Sequence, residues 1–536
     1  MDAVELLLNQ ITETLPRTRT QLRALKIRVA SQTHEPLIRN DRLLRRYRQD
    51  IAGGSRQADG RLERILMLNA IRSQSGIATV TAITEPYACP GRCVYCPTEA
   101  RAPKSYLTNE PAMMRAVRNE YDPYRQVTSR LHTLDETGHP TDKIELIIKG
   151  GTWSFYPDRY QRWFIHRCFD AANDFGMSPA SSETLADAQR ANETAIHRLI
   201  GLTIETRPDY IDHAEIRRLR ELGVTRVELG VQTLNDRILD LIVRDHGTAE
   251  IRHATQLLRD AGFKIAYHLM PNLPGATVDD DLASFRTLFD DPAYRPDALK
   301  IYPCVVIESA DLYQWWQDGR YQPYDDETLI QLLIDLKQLV PPYVRIERVI
   351  RDIPSTSIKA GCKTINLRQT VQQRMRDQGL RCRCLRCREV REHVDETFVL
   401  TRRTYEASQG TEIFLSFEHP QTERLAAFLR LRLPAATGTA QAGIPPHQPH
   451  WWPVLDQAAL IRELHTYGQH VSLHARSENA VQHRGFGRAL VAEAERIARQ
   501  EYGAARLAVI AGIGVREYYR RLGYDEADTY MVKRLT

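Results

Sequence analysis

The sequence predicts an α/β fold in which a parallel sheet of repeated βα units is followed by a second, smaller α/β domain. Seven short runs rich in β-branched residues alternate with helical stretches between residues 77 and 360, a pattern typical of βα repeats. A new series of strands begins after residue 390, whereas residues 1–76 show helical periodicity. At about 150 residues per domain, a chain of 536 residues has room for roughly three to four domains.

The N-terminal region, residues 1–76, is predicted to be mainly helical, because LLLNQI and LRALKIRVA carry apolar residues at helical spacing. Residues 15–48 contain ten basic and two acidic residues, so this segment carries a net charge of +8 while the whole chain carries +5. Such a segment suits a polyanion such as RNA, although a solvated helix face accounts for it equally well. The basic residues are Arg17, Arg19, Arg23, Lys26, Arg28, Arg39, Arg42, Arg45, Arg46 and Arg48.

The predicted strands of the central domain are IATVTAIT, KIELIIKGG, HRLIGLTIET, TRVELGVQT, FKIAYHLMP, ALKIYPCVV and VRIERVIRD. The pattern does not distinguish a barrel from an open sheet, but both place ligand-binding residues at the carboxyl ends of parallel strands. We assign residues 77–360 to this domain, residues 361–390 to a Cys- and Arg-rich linker, and residues 391–536 to the second α/β domain, which contains a Pro- and Gly-rich insert at 433–453.

Composition excludes several classes of protein. Hydrophobic residues make up 42% and charged residues 26% of the chain, as in soluble globular proteins, and no run approaches the roughly 20 apolar residues of a membrane span. Acidic Asp2 and Glu5 stand where an export signal would be basic, so a cytoplasmic location is expected. Nine cysteines, clustered instead of dispersed, favour metal or redox chemistry over a disulfide framework.

Three cysteines follow the first predicted strand, in YACPGRCVYCPTEA: Cys89, Cys93 and Cys96. Three thiolates on one loop can each bind one iron of a 4Fe-4S cluster, and the lack of a local fourth cysteine leaves one iron open. A closed zinc site completed by a distant ligand is the alternative. The C-x3-C-x2-C spacing, with an aromatic residue before the last cysteine, resembles that of radical S-adenosylmethionine (SAM) enzymes. This resemblance implies a partial (β/α) barrel and SAM contacts by Gly150, Gly151, Glu205, Gln232 and Arg244.

A second motif lies near the C-terminus, where QHRGFGR (482–488) opens a helical run. Its glycines allow backbone N–H groups to converge on a pyrophosphate at a helix N-terminus. No βαβ unit follows, which argues against a Rossmann fold. With flanking strands at 460–468 and 505–512, the succession is similar to the GNAT acetyltransferase fold. This resemblance implies an acetyl-CoA site in which the strand at 460–468 splays from its neighbour and pairs with the pantetheine amides. Tyr518 or Tyr519 would then lie near the thioester sulfur as an acid toward the departing thiolate; the alternative is that they are core residues.

A third cluster of thiols lies in RCRCLRCRE and comprises Cys382, Cys384 and Cys387. Thiolates this close together fit a zinc site that needs a fourth ligand, and a set of free thiols is the alternative. The arginines between them also suit phosphate contacts. Cys304, at the end of a predicted strand, is the preferred fourth ligand, ahead of Cys362 and Cys168.

A radical SAM domain followed by a GNAT domain resembles the family of the Elongator catalytic subunit, over nearly the whole chain from about residue 75. Two positions depart from the family pattern at the rim of the SAM pocket, where Thr98-Glu99 replaces two glycines and Asp245 replaces one. The segments that carry the resemblance are ITEPYACP, CVYCP, DKIELIIKGGT, TIETRPDY, ELGVQT, MPNLPG, KIYP, RVIRDIPS, CREV, ELHTYG, FGRALVAEAERIA and REYYRRLGY.

The resemblance implies a radical reaction on the wobble uridine of the tRNA anticodon stem-loop. SAM cleavage at the open iron would give a 5′-deoxyadenosyl radical that takes a hydrogen from the acetyl group of acetyl-CoA. The carbon radical would add to C5 of the everted uridine, and thioester hydrolysis, stimulated by tRNA, would leave a 5-carboxymethyl group. The implied acetyl-CoA residues are Lys143, Glu463, Leu464, His465, Thr466, Gln482, Gly485, Phe486, Gly487, Arg488 and Tyr519, with Lys143, Tyr518 and Tyr519 as the implied catalytic residues.

Two other functions are compatible with these motifs. A protein lysine acetyltransferase would use the GNAT domain alone and keep the cluster domain as a structural element, whereas a tRNA-binding scaffold would catalyse nothing. The tRNA enzyme requires that the cluster loop and the acetyl-CoA site open into one chamber. Neither the oligomeric state, for which a homodimer is one option, nor a need for accessory subunits follows from the sequence.

Overall fold

The structure, a computed structural model, describes residues 2–67, 76–180, 182–364, 366–390, 397–434, 450–468 and 485–535. The helices are α1 (Ala3–Thr14), α2 (Arg19–Thr33), α3 (Asn40–Ala52), α4 (Gly60–Leu66), α5 (Pro111–Arg118), α6 (Pro123–Glu136), α7 (Asp158–Asp174), α8 (Leu185–Asn192), α9 (His213–Glu221), α10 (Asp236–Leu241), α11 (Thr248–Asp260), α12 (Val278–Asp290), α13 (Leu312–Gln317), α14 (Asp326–Leu339), α15 (Leu367–Asp377), α16 (Leu385–Arg388), α17 (Phe486–Arg496) and α18 (Arg516–Arg520). Within the described ranges, no helix combines the length and the apolar character needed to cross a bilayer.

The strands are β1 (Ala78–Ile83), β2 (Lys143–Lys149), β3 (Arg198–Thr206), β4 (Arg226–Gln232), β5 (Lys264–Leu269), β6 (Ala298–Ile301), β7 (Val306–Ile307), β8 (Arg345–Arg348), β9 (Ile358–Ala360), β10 (Val399–Ala407), β11 (Gly410–Glu418), β12 (Leu425–Leu433), β13 (Ala458–Thr466), β14 (Arg506–Val509), β15 (Asp525–Ala527) and β16 (Tyr530–Arg534). Most of the predicted insert at 433–453, and Gln482 of the glycine motif, lie outside the described residues.

Helices α1 to α4 form an N-terminal bundle with its own apolar core, as the periodicity of the sequence predicts. The core includes Leu7, Leu8, Leu22, Leu43 and Tyr47. The bundle contacts helix α6 through two exposed ion pairs, Arg45 with Glu136 at 2.8 Å and Arg48 with Asp135 at 2.9 Å. Part of the positive charge of the bundle is therefore neutralised by acidic residues of the same chain.

The central domain is built on an open parallel sheet with the strand order β1-β2-β3-β4-β5-β6-β8. All seven predicted strands are present, each within the run that predicts it. Strands β1 and β8 are the two edges of the described sheet, so the sheet is a partial barrel, as the radical SAM resemblance implies, and not a closed one. The short antiparallel ladder of β7 and β9 lies outside this order.

The two faces of this sheet differ in polarity. On β2, Ile144, Leu146 and Ile148 are buried in the apolar core of the domain, whereas Glu145 and Lys149 alternate with them on the inner face. Parallel strands are usually apolar on both faces, because helices cover both. Here the inner face carries ionisable side chains and borders a cavity.

The second domain contains a mixed sheet with the strand order β10-β11-β12-β13-β14-β16-β15. Its strands are antiparallel except for the parallel pair of β13 and β14, which runs from Ala458–Ile461 against Arg506–Val509. Beyond Ile461, β13 stays paired with β12 as far as Thr466 but no longer pairs with β14. This separation of two parallel strands confirms the splayed strand that the GNAT resemblance predicts.

The second domain covers the amino ends of the barrel strands. A Cβ atom on Gly512 would lie 2.1 Å from the carbonyl oxygen of Ile200 on β3, so the two backbones touch at this point. Arg462 of β13 pairs with Asp297, the residue before β6, at 2.6 Å, and both side chains are fully buried. Burial alone would raise the pKa of Asp297, but the guanidinium groups of Arg462 and Arg430 hold it far below its usual range.

Candidate active site

One continuous cavity of about 1370 Å³ fills the inside of the partial barrel. At the carboxyl ends of the strands it is lined by the cysteine triad, defined here as Cys89, Cys93 and Cys96. At the amino ends it is lined by Leu464 and His465 of β13. The triad and the splayed strand of the second domain therefore border the same chamber.

The cysteine triad lies on the loop after β1, as predicted. The Cys93 sulfur accepts a hydrogen bond from Nη1 of Arg244 at 3.2 Å, and the Cys89 sulfur lies 3.8 Å from Oγ1 of Thr152. Burial, reinforced by the neighbouring Cys93, raises the pKa of Cys96 to about 12. Cys93 is buried and the other two thiols are half-buried; with the guanidinium of Arg244 beside Cys93, they provide donors and positive charge for a thiolate-bound cluster.

The geometry of the triad also bears on the zinc alternative. Three thiolates on one tetrahedral zinc ion would lie about 3.8 Å apart, given zinc–sulfur bonds of about 2.3 Å. The triad is not among the described groups of side chains whose ligand atoms all lie within 4.8 Å of one another. The wider spacing fits a cluster in which each thiolate binds a different iron.

The glycine motif after β2 requires glycine for steric reasons. Gly150 has a φ of +129°, and a Cβ atom there would lie 2.0 Å from Oγ1 of Thr84. Gly151, with a φ of +51°, lines the cavity. Gln232 at the end of β4 has a φ of +72° and also lines the cavity. Four of the five sequence-predicted SAM residues thus line the cavity beside the triad: Gly151, Glu205, Gln232 and Arg244.

Glu205, also predicted to contact SAM, belongs to an ion-paired network on the inner face. It pairs with Lys149, accepts a hydrogen bond from the Tyr106 hydroxyl at 2.7 Å, and lies 3.9 Å from His268. Burial would raise its pKa, but Lys149, Lys300 and His268 lower it to about 2. The carboxylate is therefore charged at neutral pH.

Glu205, Glu228 and His268 place ligand atoms within 4.8 Å of one another, as in a metal site. However, Lys149 pairs with Glu205, and Lys300 pairs with Glu228. These two ammonium groups supply the positive charge that a metal ion would otherwise provide. The group is better described as a charge-compensated wall of the cavity.

Sequence reasoning missed several residues of the cavity. Arg207 lines it beside the triad, and its buried Nη1 has no hydrogen-bond partner among the described residues. Lys104 donates a hydrogen bond to the Gly91 carbonyl oxygen at 3.0 Å within the triad loop. The inner-face pairs could have been found in the sequence, because Arg226 and Glu228 alternate within a predicted strand, where a buried parallel strand should be apolar throughout.

The strand β13 has two chemically distinct faces. Leu464 and Thr466 face Gly487 of α17, whose added Cβ would lie 4.0 Å and 3.8 Å from their side chains. Glu463 and His465 alternate with them and line the cavity, as Leu464 also does. The predicted pantetheine-binding strand thus borders the cavity and, through Leu464, also approaches the start of α17.

The other residues predicted at the glycine loop occupy the start of α17. Gly485 caps the helix with a φ of +77°, and Phe486 packs on Phe417 with ring centroids 4.4 Å apart. Arg488 lies near enough to Tyr518 to influence its hydroxyl. The described part of the loop is therefore a helix N-terminus, which is the feature that binds pyrophosphate in such folds.

Tyr518 and Tyr519 differ in environment. The Tyr518 hydroxyl lies 3.1 Å from the position of a Cβ on Gly487, and the residue is 36% exposed. Tyr519 is 5% exposed and belongs to the apolar core of the second domain. Tyr518 is therefore the tyrosine that faces the glycine loop, and Tyr519 has the environment of a core residue.

Lys143, the first residue of β2, lies at the interface of the two domains. It is one of the cations close to His465 of β13, together with Lys264 and Arg345. Burial lowers the pKa of Lys143. Lys143 therefore lies on the barrel but beside the second domain, and a contact with acetyl-CoA remains a prediction of the resemblance.

The cysteine loop, defined as Cys382, Cys384 and Cys387, places its three sulfur atoms within 4.8 Å of one another. Hydrogen bonds from the other two thiols lower the pKa of Cys384 well below its usual value. The structure does not bring Cys304 to this loop, since its thiol is not among the described ligand atoms grouped there and lies beside Tyr321. The remaining two cysteines lie elsewhere, Cys362 beside Thr364 and Cys168 within the core of the barrel domain.

Comparison with known families identifies the class of protein that this fold and site define. The radical SAM superfamily model matches residues 86–288, and the model of the radical SAM C-terminal domain matches residues 296–377. The chain is thus a radical SAM protein, a class that implies a 4Fe-4S cluster and SAM. The cysteine triad fits the cluster.

Individual relatives define the family more closely. The chain is 47% identical to the tRNA uridine(34) acetyltransferase of Dehalococcoides mccartyi, over 87% of this chain and 99% of the relative. It is 38% identical to human Elongator complex protein 3, over 88% and 86% of the two chains. The structure of an N-terminally truncated Elp3 from Methanocaldococcus infernus matches with a TM-score of 0.73 and 42% identity, covering 86% of this chain and all of that one. The chain belongs to the family of tRNA uridine(34) acetyltransferases and Elongator complex protein 3.

Proposed function

We propose that this protein is a tRNA uridine(34) acetyltransferase that converts the wobble uridine to 5-carboxymethyluridine with acetyl-CoA and SAM. The name of its relatives gives the target base. The observation that carries the proposal is the continuous cavity between the cysteine triad and strand β13. Ligand pockets are typically about 300 to 1,000 Å³, so a chamber of about 1370 Å³ has room for more than one reactant.

The residues of the triad would hold the cluster, and Gly151, Gln232 and Arg244 would position SAM beside it. When bound, the cluster and SAM supply the one-electron chemistry that activates a C–H bond. The protein contributes a shielded chamber whose charged wall residues are already paired, as Glu205 is with Lys149. Unpaired buried charges would destabilise the folded protein. Because the charged residues of the wall pair with one another, the reactants lie in a site whose charges compensate each other.

Acetyl-CoA would bind along β13 and at the N-terminus of α17. On the side that faces away from β12, the backbone of residues 462–466 pairs with no other strand of the described chain, so its amide groups are available to the pantetheine. Tyr518 would protonate the departing thiolate when the thioester is hydrolysed, since its hydroxyl faces the glycine loop. Lys143 would contact the CoA phosphates from the barrel side of the interface.

We also propose that the cysteine loop binds zinc. Three sulfur atoms within 4.8 Å of one another can occupy three corners of a tetrahedral site. The loop is anchored to the barrel, since the amide of Leu385 donates to the carbonyl oxygen of Val344 at 2.9 Å. A bound ion would fix the segment that connects the two domains.

The N-terminal bundle is our candidate for contact with the body of the tRNA. Seven of the ten basic residues in its segment 15–48 are exposed, and the side chains of four of these form no ion pair or hydrogen bond with any described residue: Arg17, Arg23, Arg28 and Arg42. Exposed, unpaired arginines are the groups that bind phosphates. The ion-paired Arg45 and Arg48 are less available.

The decisive experiment is anaerobic incubation of the reconstituted protein with tRNA, SAM, a reductant and acetyl-CoA, followed by mass spectrometry of the tRNA nucleosides. We expect 5-carboxymethyluridine, and we expect it to disappear in Cys93→Ser. Acetyl transfer to a histone peptide, with no change in the tRNA, would instead identify a protein lysine acetyltransferase.

A further inference from the structure

Tyr302 presents a hydroxyl group to the cavity. The residue follows β6 directly, lines the cavity and is only 8% exposed. Its hydroxyl forms no hydrogen bond with a described residue. A fully buried oxygen without a partner would count as an unsatisfied polar atom, and the Tyr302 oxygen is not one of those. The oxygen is therefore accessible from the chamber. The ring packs edge-on against His268 with centroids 5.5 Å apart, which fixes the direction of the hydroxyl.

Tyr302 lies on a different strand from the residues proposed to bind the other two reactants. The residues proposed to bind SAM lie at the ends of β2 and β4 and after β4, whereas Tyr302 follows β6, next to the edge strand β8; it approaches the β2 side of the cavity through Lys149. The strand proposed to bind acetyl-CoA lies at the amino ends of the barrel strands. The side of the chamber formed by β6 and β8 is therefore left for the third reactant, the tRNA base.

This side carries arginine side chains of the kind that contact nucleotides. Arg348 ends β8 with its side chain 44% exposed and pairs with Asp352, and Arg351 follows it with 23% exposure and pairs with Glu110. The guanidinium of Arg351 lies 5.5 Å from the centroid of the Tyr106 ring. Guanidinium groups contact phosphates, and aromatic and guanidinium planes stack on unpaired bases. The surroundings of Tyr302 thus suit an everted nucleotide.

We propose that Tyr302 selects the base by donating a hydrogen bond from its hydroxyl to the O4 carbonyl oxygen of uracil, an inference that rests on the proposed function. Cytosine carries an amino group at this position, which cannot accept the bond; the tyrosine oxygen can accept a bond from that amino group, so the discrimination depends on the cations beside the hydroxyl. The ammonium groups of Lys149 and Lys300 are close to Tyr302 and also favour a carbonyl oxygen over an amino group. Tyr302 is therefore a specificity-determining residue.

The test compares the binding of two anticodon stem-loops that differ only in uridine or cytidine at the wobble position. Fluorescence anisotropy with the full-length protein measures both affinities without any turnover. Tyr302→Phe removes the hydroxyl and keeps the ring. Tyr313→Phe is the matched control, because Tyr313 lies in the same domain, packs on Trp316 and does not line the cavity.

We expect the unmodified sequence to prefer the uridine loop and Tyr302→Phe to reduce that preference about five- to tenfold by weakening only the uridine loop, as expected for one lost hydrogen bond. Tyr313→Phe should keep the preference. Equal weakening of both loops, an unchanged preference in Tyr302→Phe, or no preference in the unmodified sequence would each overturn the proposal. Failure of the proposed function would appear separately, as the absence of 5-carboxymethyluridine after turnover by the unmodified sequence.

Discussion

Arg462 and Asp297 form a two-point ion pair across the interface of the two domains, with Nη2–Oδ1 at 2.6 Å and Nη1–Oδ2 at 2.9 Å. Arg462 also pairs with Glu412 of its own domain at 2.9 Å, so one guanidinium connects both sheets. Ion pairs this deeply buried are poor sources of net stability, but the loss of one partner leaves an uncompensated charge. The pair therefore holds the second domain in one fixed position over the barrel.

The first prediction concerns this pair. Asp297→Asn should destabilise the protein by about 3 to 5 kcal/mol, because Arg462 and Arg430 then lose their shared counter-charge. Urea denaturation at neutral pH measures the effect. Glu221→Gln is the control, since Glu221 pairs with Arg162 on the surface, where both side chains are at least 43% exposed, and should cost less than about 1 kcal/mol. Similar midpoints for the two variants would show that the interface does not depend on Asp297.

The second prediction concerns pH. Burial would raise the pKa of Glu463, but Lys264 and Arg430 lower it from 4.5 to about 2. The folded state therefore favours the ionised carboxylate, and this contribution is complete above pH 4.5 and disappears as the pH falls toward 2. Glu463→Gln should be less stable than the unmodified sequence at pH 6, and the difference should shrink between pH 4.5 and 2. Urea midpoints across this range measure it, and a difference independent of pH would contradict the assignment.

Strand positions were predictable from the sequence because they depend on local pattern. The β-branched runs from Ala78 to Arg348 are bounded by turns and helices, and such signals need no tertiary information. The triad was predictable because its spacing along the chain determines its chemistry. By contrast, Tyr518 and Tyr519 differ in environment only because of the orientation of α18. Their spacing in the sequence does not predict which of the two faces the glycine loop.

Long-range placement explains the other differences. In the sequence, Cys304 is the cysteine at the end of a predicted strand and is therefore the preferred fourth ligand for the cysteine loop. The fold instead places the Cys304 thiol beside Tyr321. No local pattern reports that separation. The buried pair of Arg462 and Asp297 joins residues 165 positions apart, and the sequence offers no signal for it beyond an arginine within a predicted strand.

The third prediction separates the two tyrosines of α18. Tyr518→Phe should lower the rate of tRNA-dependent acetyl-CoA hydrolysis by about 100- to 10,000-fold, as expected for the loss of a general acid, with little change in thermal stability. Tyr519→Phe should leave the rate within a few-fold, because its ring stays in the core and only its hydroxyl is removed. Release of free CoA thiol measures both rates. The opposite ranking would place Tyr519, as the family resemblance implies, at the thioester.

The fourth prediction concerns the N-terminal bundle. Replacing Arg17, Arg23, Arg28 and Arg42 together by Gln should weaken tRNA binding at least tenfold at moderate salt, because each arginine that neutralises a phosphate releases counterions. The slope of log affinity against log salt should fall in magnitude by roughly 0.7 to 0.9 for each phosphate that is no longer neutralised. The control replaces Arg45 and Arg48, which pair with Glu136 and Asp135, and should change the slope less. An unchanged slope in the fourfold variant would assign tRNA binding to another surface.

The fifth prediction tests the cysteine loop as a zinc site. The purified protein should contain one zinc ion per chain by elemental mass spectrometry, and Cys384→Ser should abolish it, because a thiolate at the centre of the loop is removed. Cys304→Ser should retain the ion, since the structure holds that thiol beside Tyr321, and so should Cys168→Ser, whose thiol lies in the barrel core. Loss of zinc in Cys304→Ser alone would show that Cys304 moves to the loop when the metal binds.

The same samples also report on the domain interface. Because the loop amide of Leu385 bonds to Val344 just before β8, removing the zinc should lower the thermal midpoint without affecting the iron content of the triad.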